Sequence, residues 1–273
     1  MPKAPSRQSQ IVNAVFSDRY SPGMTSVRFS RNDLHAVCET HGIEPLANMG
    51  DGPIYSYRYR AKLPDEITST QPPGKEWVIL GRGVSEYEFR LVSASNIVPN
   101  QSLLATKIPD ATPEIIKRYA YSDEQALLAR VRYNRLVDTF FGITAYSLQN
   151  HLRTQVAGIG QIEIDEIYVG VDRHGRHFVV PVQAKVGRDK IGYAQLWQDL
   201  EYCRQEYPTL VCRALSAKFG RKGKSGPKGK IAMFELTISE DAVKIVREIH
   251  YDLVPENSIS KEELLGYNER ADD

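Results

Sequence analysis

The amino-acid sequence predicts a mixed α/β (α+β) protein in two units, a smaller α+β unit over residues 1–112 and a larger mixed-sheet unit over residues 113–273. Three observations predict this fold. Candidate helices and strands alternate along all 273 residues, which is typical of layered α/β and α+β proteins. A proline-rich run, Asn96–Pro113, lies between the halves like a linker. The second half contains two runs rich in β-branched and aromatic residues around a short polar turn, which indicates a β-hairpin.

Composition and charge narrow the class of protein. The formal net charge is +1, so a nucleic-acid partner would have to be bound by local basic patches. The cysteines Cys38, Cys203 and Cys212 are too few and too scattered for a disulfide framework or a zinc cluster, which indicates a reducing compartment. No stretch approaches the roughly 18 apolar residues of a membrane span. We therefore expect a cytoplasmic protein with no membrane partner.

The first unit begins with helical signals. Gln10–Phe16 is a short apolar helix candidate, and Ser30 begins a second helix with Asp33 in the capping-box position. Ile54–Arg60 alternates like a strand. This order is compatible with a winged-helix module, in which Arg58 and Arg60 would contact DNA, or with a purely structural subdomain. Two further strands, Trp77–Leu80 and Tyr87–Val92, complete the unit.

The second unit begins with two predicted helices. The first starts at Ser122, a suitable N-cap, and its apolar stripe ends before Gly142. Glu124 lies in its first turn, where an acid is favourable to the helix dipole. Ile143–Thr154 is predicted as the second helix.

The hairpin predicted over Gln161–Lys185 is the most informative part of the chain. A loop centred on His174 pairs apolar with apolar residues and sets Asp165 opposite Gln183 and Glu163 opposite Lys185. A two-residue turn at His174–Gly175 is the alternative and would bring Glu166 opposite Gln183. In the first register two carboxylates, an amide oxygen and a lysine share one patch. Unpaired charges at a sheet surface are costly to bury. Oxygen ligands of this kind suit Mg²⁺, and a bound Mg²⁺ ion would balance their negative charge.

These residues resemble a known family. The pattern resembles the signature of the PD-(D/E)XK nuclease superfamily, in the Gln-X-Lys variant of Mrr-like restriction endonucleases. It consists of Asp165, a turn, and then Gln183-Ala184-Lys185. The resemblance covers about 40 residues and implies a restriction-endonuclease-like core that cuts DNA phosphodiester bonds with Mg²⁺, or with Mn²⁺ as a substitute. It implies that Lys185 is the catalytic lysine and that Gln183 occupies the second acidic position.

The resemblance also implies a set of metal ligands. They are Asp165, the Ala184 carbonyl, and Gln183 or Glu163; Glu124 is a further candidate because a first-helix acid sometimes joins the metal site of this family. Gln183 is the departure from the family pattern, since a neutral amide weakens the site by one charge. The second carboxylate is left open among Glu163, Glu166 and Glu124.

Beyond the hairpin the sequence predicts a helix over Ile191–Tyr207, strands over Leu210–Phe219 and Ile231–Ile238, and a last helix over Glu240–His250. The two strands flank the densest basic segment of the chain. It is a predicted loop that either contacts phosphates or is merely solvated. Its candidate DNA-binding residues are Lys218, Arg221, Lys222, Lys224, Lys228 and Lys230.

Together these features predict a Mg²⁺-dependent endonuclease that acts on double-stranded DNA in a restriction system, with residues 1–112 supplying specificity. Cleavage of both strands of a two-fold symmetric duplex predicts a homodimer. Two other hypotheses stay open. One is a non-catalytic DNA-binding regulator that keeps the fold, which Gln183 favours. The other is a repair or junction-resolving nuclease.

Overall fold

A computed structural model describes residues 5–95, 97–119, 124–187, 189–219 and 230–269, without the side chains of residues 51 and 52. Over these ranges the protein is a mixed α+β fold, as the sequence predicts. The helices are α1 (Arg7–Ser17), α2 (Arg31–His41), α3 (Ser56–Tyr59), α4 (Asp65–Thr68), α5 (Glu114–Tyr119), α6 (Glu124–Tyr133), α7 (Leu136–Phe141), α8 (Tyr193–Glu206) and α9 (Lys261–Asn268). A π-helical turn (Asp51–Tyr55) precedes α3, and a 3₁₀ turn (Glu256–Ser258) precedes α9.

The strands form one small sheet and one large sheet within the described residues. They are β1 (Ser26–Ser30), β2 (Lys75–Gly83), β3 (Glu86–Ser93), β4 (Thr106–Pro109), β5 (Thr144–Val156), β6 (Gly160–Val171), β7 (His177–Val186), β8 (Val211–Cys212), β9 (Ala214–Phe219), β10 (Lys230–Ser239) and β11 (Ala242–Val254). The small sheet has the order β1-β3-β2, and the large one β4-β11-β10-β9-β7-β6-β5, with β8 paired to β7. The large sheet is mixed, because β7 is parallel to β9 and antiparallel to β6.

The N-terminal unit encloses its own apolar core, in which α1 and α2 pack with the small sheet. The predicted cap of α2 is confirmed, since the Ser30 N–H donates to Asp33 Oδ2 at 2.7 Å and the Ser30 hydroxyl accepts from the Asp33 N–H. The strand predicted over Ile54–Arg60 is wrong. This segment is helical, and its alternating tyrosines include an i,i+4 pair, Tyr55 and Tyr59, whose ring centroids lie 5.1 Å apart.

Two predicted helices of the second unit are strands. Residues 143–154 mostly belong to β5, an edge strand with an irregularity between Ser147 and Gln149 and a left-handed residue at His151 (φ 47°). Residues 240–250 mostly belong to β11, which follows β10 through a turn with positive φ at Glu240 and Asp241. Strand β4 lies inside the predicted linker and pairs in parallel with β11.

The two faces of the large sheet carry different helices. Helices α6 and α7 bury apolar side chains against Val180, Val182 and Ala184 of β7. Helix α8 packs on the other face, where Cys203 meets Val179 of β7. Because side chains alternate along a strand, Gln183 and Lys185 point towards the α8 face. None of the described helices is long and apolar enough to cross a membrane.

The N-terminal unit packs directly on α8 and on the turn between β5 and β6. Leu80 and Val92 form an apolar cluster with Tyr193 and Ala194 of α8. At Gly81 the approach is so close that a Cβ atom would lie 1.9 Å from the carbonyl oxygen of Ile159. Only a glycine fits there unless one backbone moves.

We therefore expect Gly81→Ala to destabilise the protein by about 1–3 kcal/mol, the usual cost of overpacking. Gly266→Ala is the matched control, because its Cβ would meet no atom within 4 Å and alanine is the better helix former. Urea denaturation measures both free energies of unfolding. Equal stability of Gly81→Ala and the unmodified protein would show that the two units are not packed this closely.

Candidate active site where two strands separate

The candidate site lies where β6 and β7 separate. The two strands pair from Val171 opposite His177 to Glu166 opposite Val182. The predicted register centred on His174 is confirmed over these pairs, and the alternative register is wrong. The predicted pairs of Asp165 with Gln183 and of Glu163 with Lys185 lie beyond the end of this ladder. From Val182 to Val186 strand β7 also pairs in parallel with β9. Before Glu166, strand β6 pairs with β5, and no ladder joins it to β7.

The side chain of Asp165 spans the gap between the separating strands. Its Oδ2 atom accepts a hydrogen bond from the backbone N–H of Ala184 at 2.8 Å. Burial raises the pKa of Asp165, while the positive charge of Lys185 and the Ala184 N–H act in the opposite direction. Lys185 itself is 9% exposed. The structure thus brings a desolvated carboxylate and a buried lysine together across two strands, as the sequence predicts.

Gln183 is held at both ends of its amide. Its Nε2 donates to Asp199 Oδ2 at 2.8 Å, and its Oε1 accepts from Gln195 Nε2 at 2.5 Å. The backbone carbonyl of Gln183 also accepts from the Ser216 hydroxyl at 3.3 Å. The amide oxygen is therefore already engaged within the protein, and the geometry assigns Gln183 the role of fixing β7 against α8.

Asp199 is the site residue that sequence reasoning missed. It is 1% exposed, and its Oδ1 atom has no hydrogen-bond partner among the described residues. Burial raises its pKa well above the ordinary value, whereas the Gln183 hydrogen bond acts to lower it. A signal was present in the sequence, because Asp199 falls three residues after Leu196 and four before Cys203, inside the apolar stripe of the predicted helix.

A small cavity adjoins the site. Its volume is about 10 Å³, and its lining includes Asp199, Gln183, Lys185 and Ser216. This volume is roughly what one water molecule requires, and a buried water needs two to four polar partners. The lining provides such partners beside Asp199.

The three glutamates considered as metal ligands occupy different places. Glu163 lies two residues before Asp165 on the same face of β6, with its Oε2 at 3.2 Å from Arg153 and its Oε1 at 3.8 Å from His151. Glu166 is fully buried towards the other face, where Arg132 and Ser147 donate to its Oε1 at 2.8 and 2.6 Å. Glu124 starts α6, which packs on the face opposite to Gln183 and Lys185.

Two carboxylates form the donor set that this face of β6 offers to a divalent cation. Among the described residues no group of three or more His, Cys, Asp or Glu side chains could hold a metal. Asp165 and Glu163 supply carboxylates on one face of β6. Mg²⁺ usually takes one or two carboxylates, keeps several waters and binds substrate phosphates, so two carboxylates meet its chemical requirement.

A row of lysines extends from Lys185 across the neighbouring strands of the large sheet. Lys185 lies beside Lys218 in the parallel pairing of β7 with β9, and Lys218 pairs with Ala232 of β10. Lys230 is two residues before Ala232 and so shares its face. Burial lowers the pKa of Lys218, and the charge of Lys185 adds to this effect. The other predicted loop residues, Arg221, Lys222, Lys224 and Lys228, lie outside the described residues.

The two arginines predicted as DNA contacts in the first unit differ in environment. Arg58 points to α8, where its Nη2 donates to Gln198 Oε1 at 3.2 Å. Arg60 is exposed and its guanidinium lies 5.2 Å from the centre of the Tyr55 ring. Arg58 thus makes a contact within the protein, whereas Arg60 is on the surface.

No protein-family model and no curated protein matches this chain at a significant level. The geometry of its own residues is therefore the guide to its chemistry.

Proposed function

We propose that this protein is a Mg²⁺-dependent endonuclease with a PD-(D/E)XK, restriction-endonuclease-like core that hydrolyses phosphodiester bonds of double-stranded DNA. The observation that carries the proposal is the separation of β6 and β7. It places the Asp165 carboxylate against the Ala184 N–H, one residue from Lys185. A desolvated carboxylate whose pKa is raised by burial attracts a cation strongly, because water screens its charge poorly.

In this proposal Asp165 and Glu163 would hold Mg²⁺, with Mn²⁺ as a substitute. The bound ion supplies Lewis-acid polarisation of the scissile phosphate. Lys185 orients the attacking water and stabilises the negative charge that grows on the phosphate. Asp199 and Gln195 fix the Gln183 amide, so that the backbone carrying Lys185 cannot shift when DNA binds.

Lys218 and Lys230 extend the positive charge away from the reacting phosphate. Their shared face with Lys185 suits contacts to neighbouring phosphates of the same strand, which add salt-dependent affinity without reading sequence. The basic residues at 221, 222, 224 and 228 follow Lys218 in the chain and would add to the same contact.

The N-terminal unit is proposed to supply specificity. Its element order and its sheet order β1-β3-β2 support a winged-helix module, with Arg60 as a surface contact to DNA. Cleavage of both strands calls for two sites and hence a homodimer. We place this activity in the cytoplasm, as part of a restriction system.

One observation favours a second candidate, a DNA-binding regulator without catalysis. The amide oxygen of Gln183 is taken by Gln195, so the second acidic position of the family pattern does not offer a ligand. A regulator would bind duplex DNA equally well with Mg²⁺ and with a chelator. The endonuclease should instead bind more tightly with Mg²⁺, because the substrate phosphate completes the ion's shell.

The proposal is tested with end-labelled linear and branched DNA duplexes, each incubated with Mg²⁺ and with a chelator. We expect cleavage of the linear duplex with Mg²⁺ and none with the chelator. Preferential cleavage of the branched duplex would indicate a repair or junction-resolving nuclease. Binding without cleavage in either condition would favour the regulator.

A further inference from the structure

The N-terminal unit makes hydrogen bonds to Gln198, a buried side chain of α8 next to Asp199. The Tyr59 hydroxyl donates to Gln198 Oε1 at 2.6 Å, and Arg58 Nη2 donates to the same oxygen at 3.2 Å. On its other side, Gln198 Nε2 donates to the backbone carbonyl of Glu163 at 3.4 Å. Gln198 is 1% exposed, so these bonds form a connection inside the protein.

This connection supports β6 where its neighbour strand is missing. From Glu166 onward β6 is held on both edges, but before Glu166 the β7 side has no ladder pairing. The carboxylates of Glu163 and Asp165 lie in that half-supported segment. Gln198 holds the Glu163 carbonyl, and the Ala184 N–H holds the Asp165 side chain. Two hydrogen bonds thus take the place of the missing ladder.

Arg58 and Tyr59 are themselves well fixed. The Arg58 guanidinium lies 5.0 Å from the centre of the Tyr59 ring, and the Tyr59 ring contacts that of Tyr55. Burial raises the pKa of Tyr59 to about 12, so its hydroxyl keeps its proton and donates to Gln198 at neutral pH. Nearby, the Arg82 guanidinium lies 4.9 Å from the centre of the Trp197 ring, adjacent to Gln198 in α8.

We propose that Tyr59 and Arg58 are positioning residues of the nuclease site, so that the N-terminal unit is required for the cut itself as well as for finding DNA. This inference rests on the proposed nuclease function. Neither side chain touches the DNA in this account. They act through Gln198, which sets the position of the strand that carries Glu163 and Asp165.

Tyr59→Phe removes only the hydroxyl and is the first variant to test. We expect kcat for DNA cleavage to fall about 10-fold with KM unchanged, because one buried hydrogen bond to a positioning group is lost. Tyr55→Phe is the matched control and should cut normally. Gln198→Glu is the second variant. Its carboxylate still accepts from Tyr59 and Arg58 but cannot donate to Glu163, so it should show the same loss of kcat.

A readout independent of cleavage is hydrogen exchange of the backbone amides of residues 160–166. We expect exchange there to accelerate about 10-fold in Tyr59→Phe and Gln198→Glu, with the rest of the sheet unchanged. Unchanged exchange in both variants would overturn the positioning role, whatever the activity. If exchange accelerates in the variants but the unmodified protein cuts no DNA, the connection from Tyr59 to β6 would be supported and the nuclease function rejected.

Discussion

Lys185→Ala is expected to abolish DNA cleavage while leaving DNA binding within a few-fold of the unmodified protein. The lysine is buried beside Asp165, and in the proposed mechanism it stabilises the charge that grows on the reacting phosphate. Removing one preorganised donor of this kind typically lowers kcat by about 10²–10³-fold. Binding should persist, since Lys218 and Lys230 still contact the DNA backbone in the proposal.

Two controls make this result interpretable. Lys244→Ala removes an exposed lysine of β11 and should leave cleavage unchanged. Thermal unfolding of Lys185→Ala checks that the variant is folded, because a loss of cleavage reports on the lysine only in a folded protein. Cleavage by Lys185→Ala at the rate of the unmodified protein would contradict the assignment of the catalytic lysine.

Gln183→Leu is expected to lower the free energy of unfolding by roughly 1–3 kcal/mol at pH 7.5, the usual cost of leaving a buried polar group without its hydrogen-bond partner. Gln183 Nε2 donates a hydrogen bond to Asp199 Oδ2 at 2.8 Å, and Asp199 is buried. Without that donor the carboxylate would remain buried beside an apolar side chain. Urea denaturation measures the loss.

The loss should depend on pH with a definite sign. Burial already raises the pKa of Asp199 above its value in the unfolded chain, so its contribution to stability is most favourable below the unfolded pKa, near 3.9. That contribution is lost as the pH rises towards the folded pKa. Removing Gln183 raises the folded pKa further. The destabilisation by Gln183→Leu should therefore shrink as the pH falls from 7.5 towards 4.

Asp199→Asn in the Gln183→Leu background is the control for this prediction. A neutral amide at position 199 is easier to bury than a carboxylate, so it should recover part of the lost stability at pH 7.5. A deficit that is equal at pH 7.5 and pH 4 would show that the charge of Asp199 is not its cause.

The pairing of the two strands that carry the site could be predicted, because it depends on sequence patterns within a short segment of the chain. Alternation in the two runs around His174 set the pairing of β6 with β7, and a single register satisfies both runs. Helical spacing predicted α8, which ends just before Tyr207 and Pro208, and runs of apolar residues predicted the strands on either side of the basic segment.

The elements that were predicted wrongly lack such signals. In β5 the irregularity at Ser147–Gln149 and the left-handed His151 interrupt the period of two, and most of the strand is exposed. The turn before β11 has positive φ at Glu240 and Asp241, where Asn-Gly would be the usual signal. The contact of Arg58 with Gln198 joins residues that are 140 positions apart in the sequence. Sequence patterns within one helix or strand cannot predict a contact between residues so far apart.

Asp199 illustrates the same limit at the site itself. Asp199 is 16 residues from Gln183 in sequence, and only the packing of α8 on the sheet brings the two together. The spacing of α8 shows that Asp199 faces inward, but not which side chain it meets. In the structure Gln183 is the hydrogen-bond donor that the buried carboxyl group of Asp199 requires.

The measurement that tests the central claim most directly is incubation of the purified protein with supercoiled plasmid, methylated and unmethylated, in Mg²⁺, in Mn²⁺ and in chelator. We expect linear or banded products with either metal ion on at least one plasmid and intact supercoiled DNA in chelator. Intact plasmid under every condition, together with DNA binding that is equal with and without metal, would contradict the nuclease and support a DNA-binding regulator.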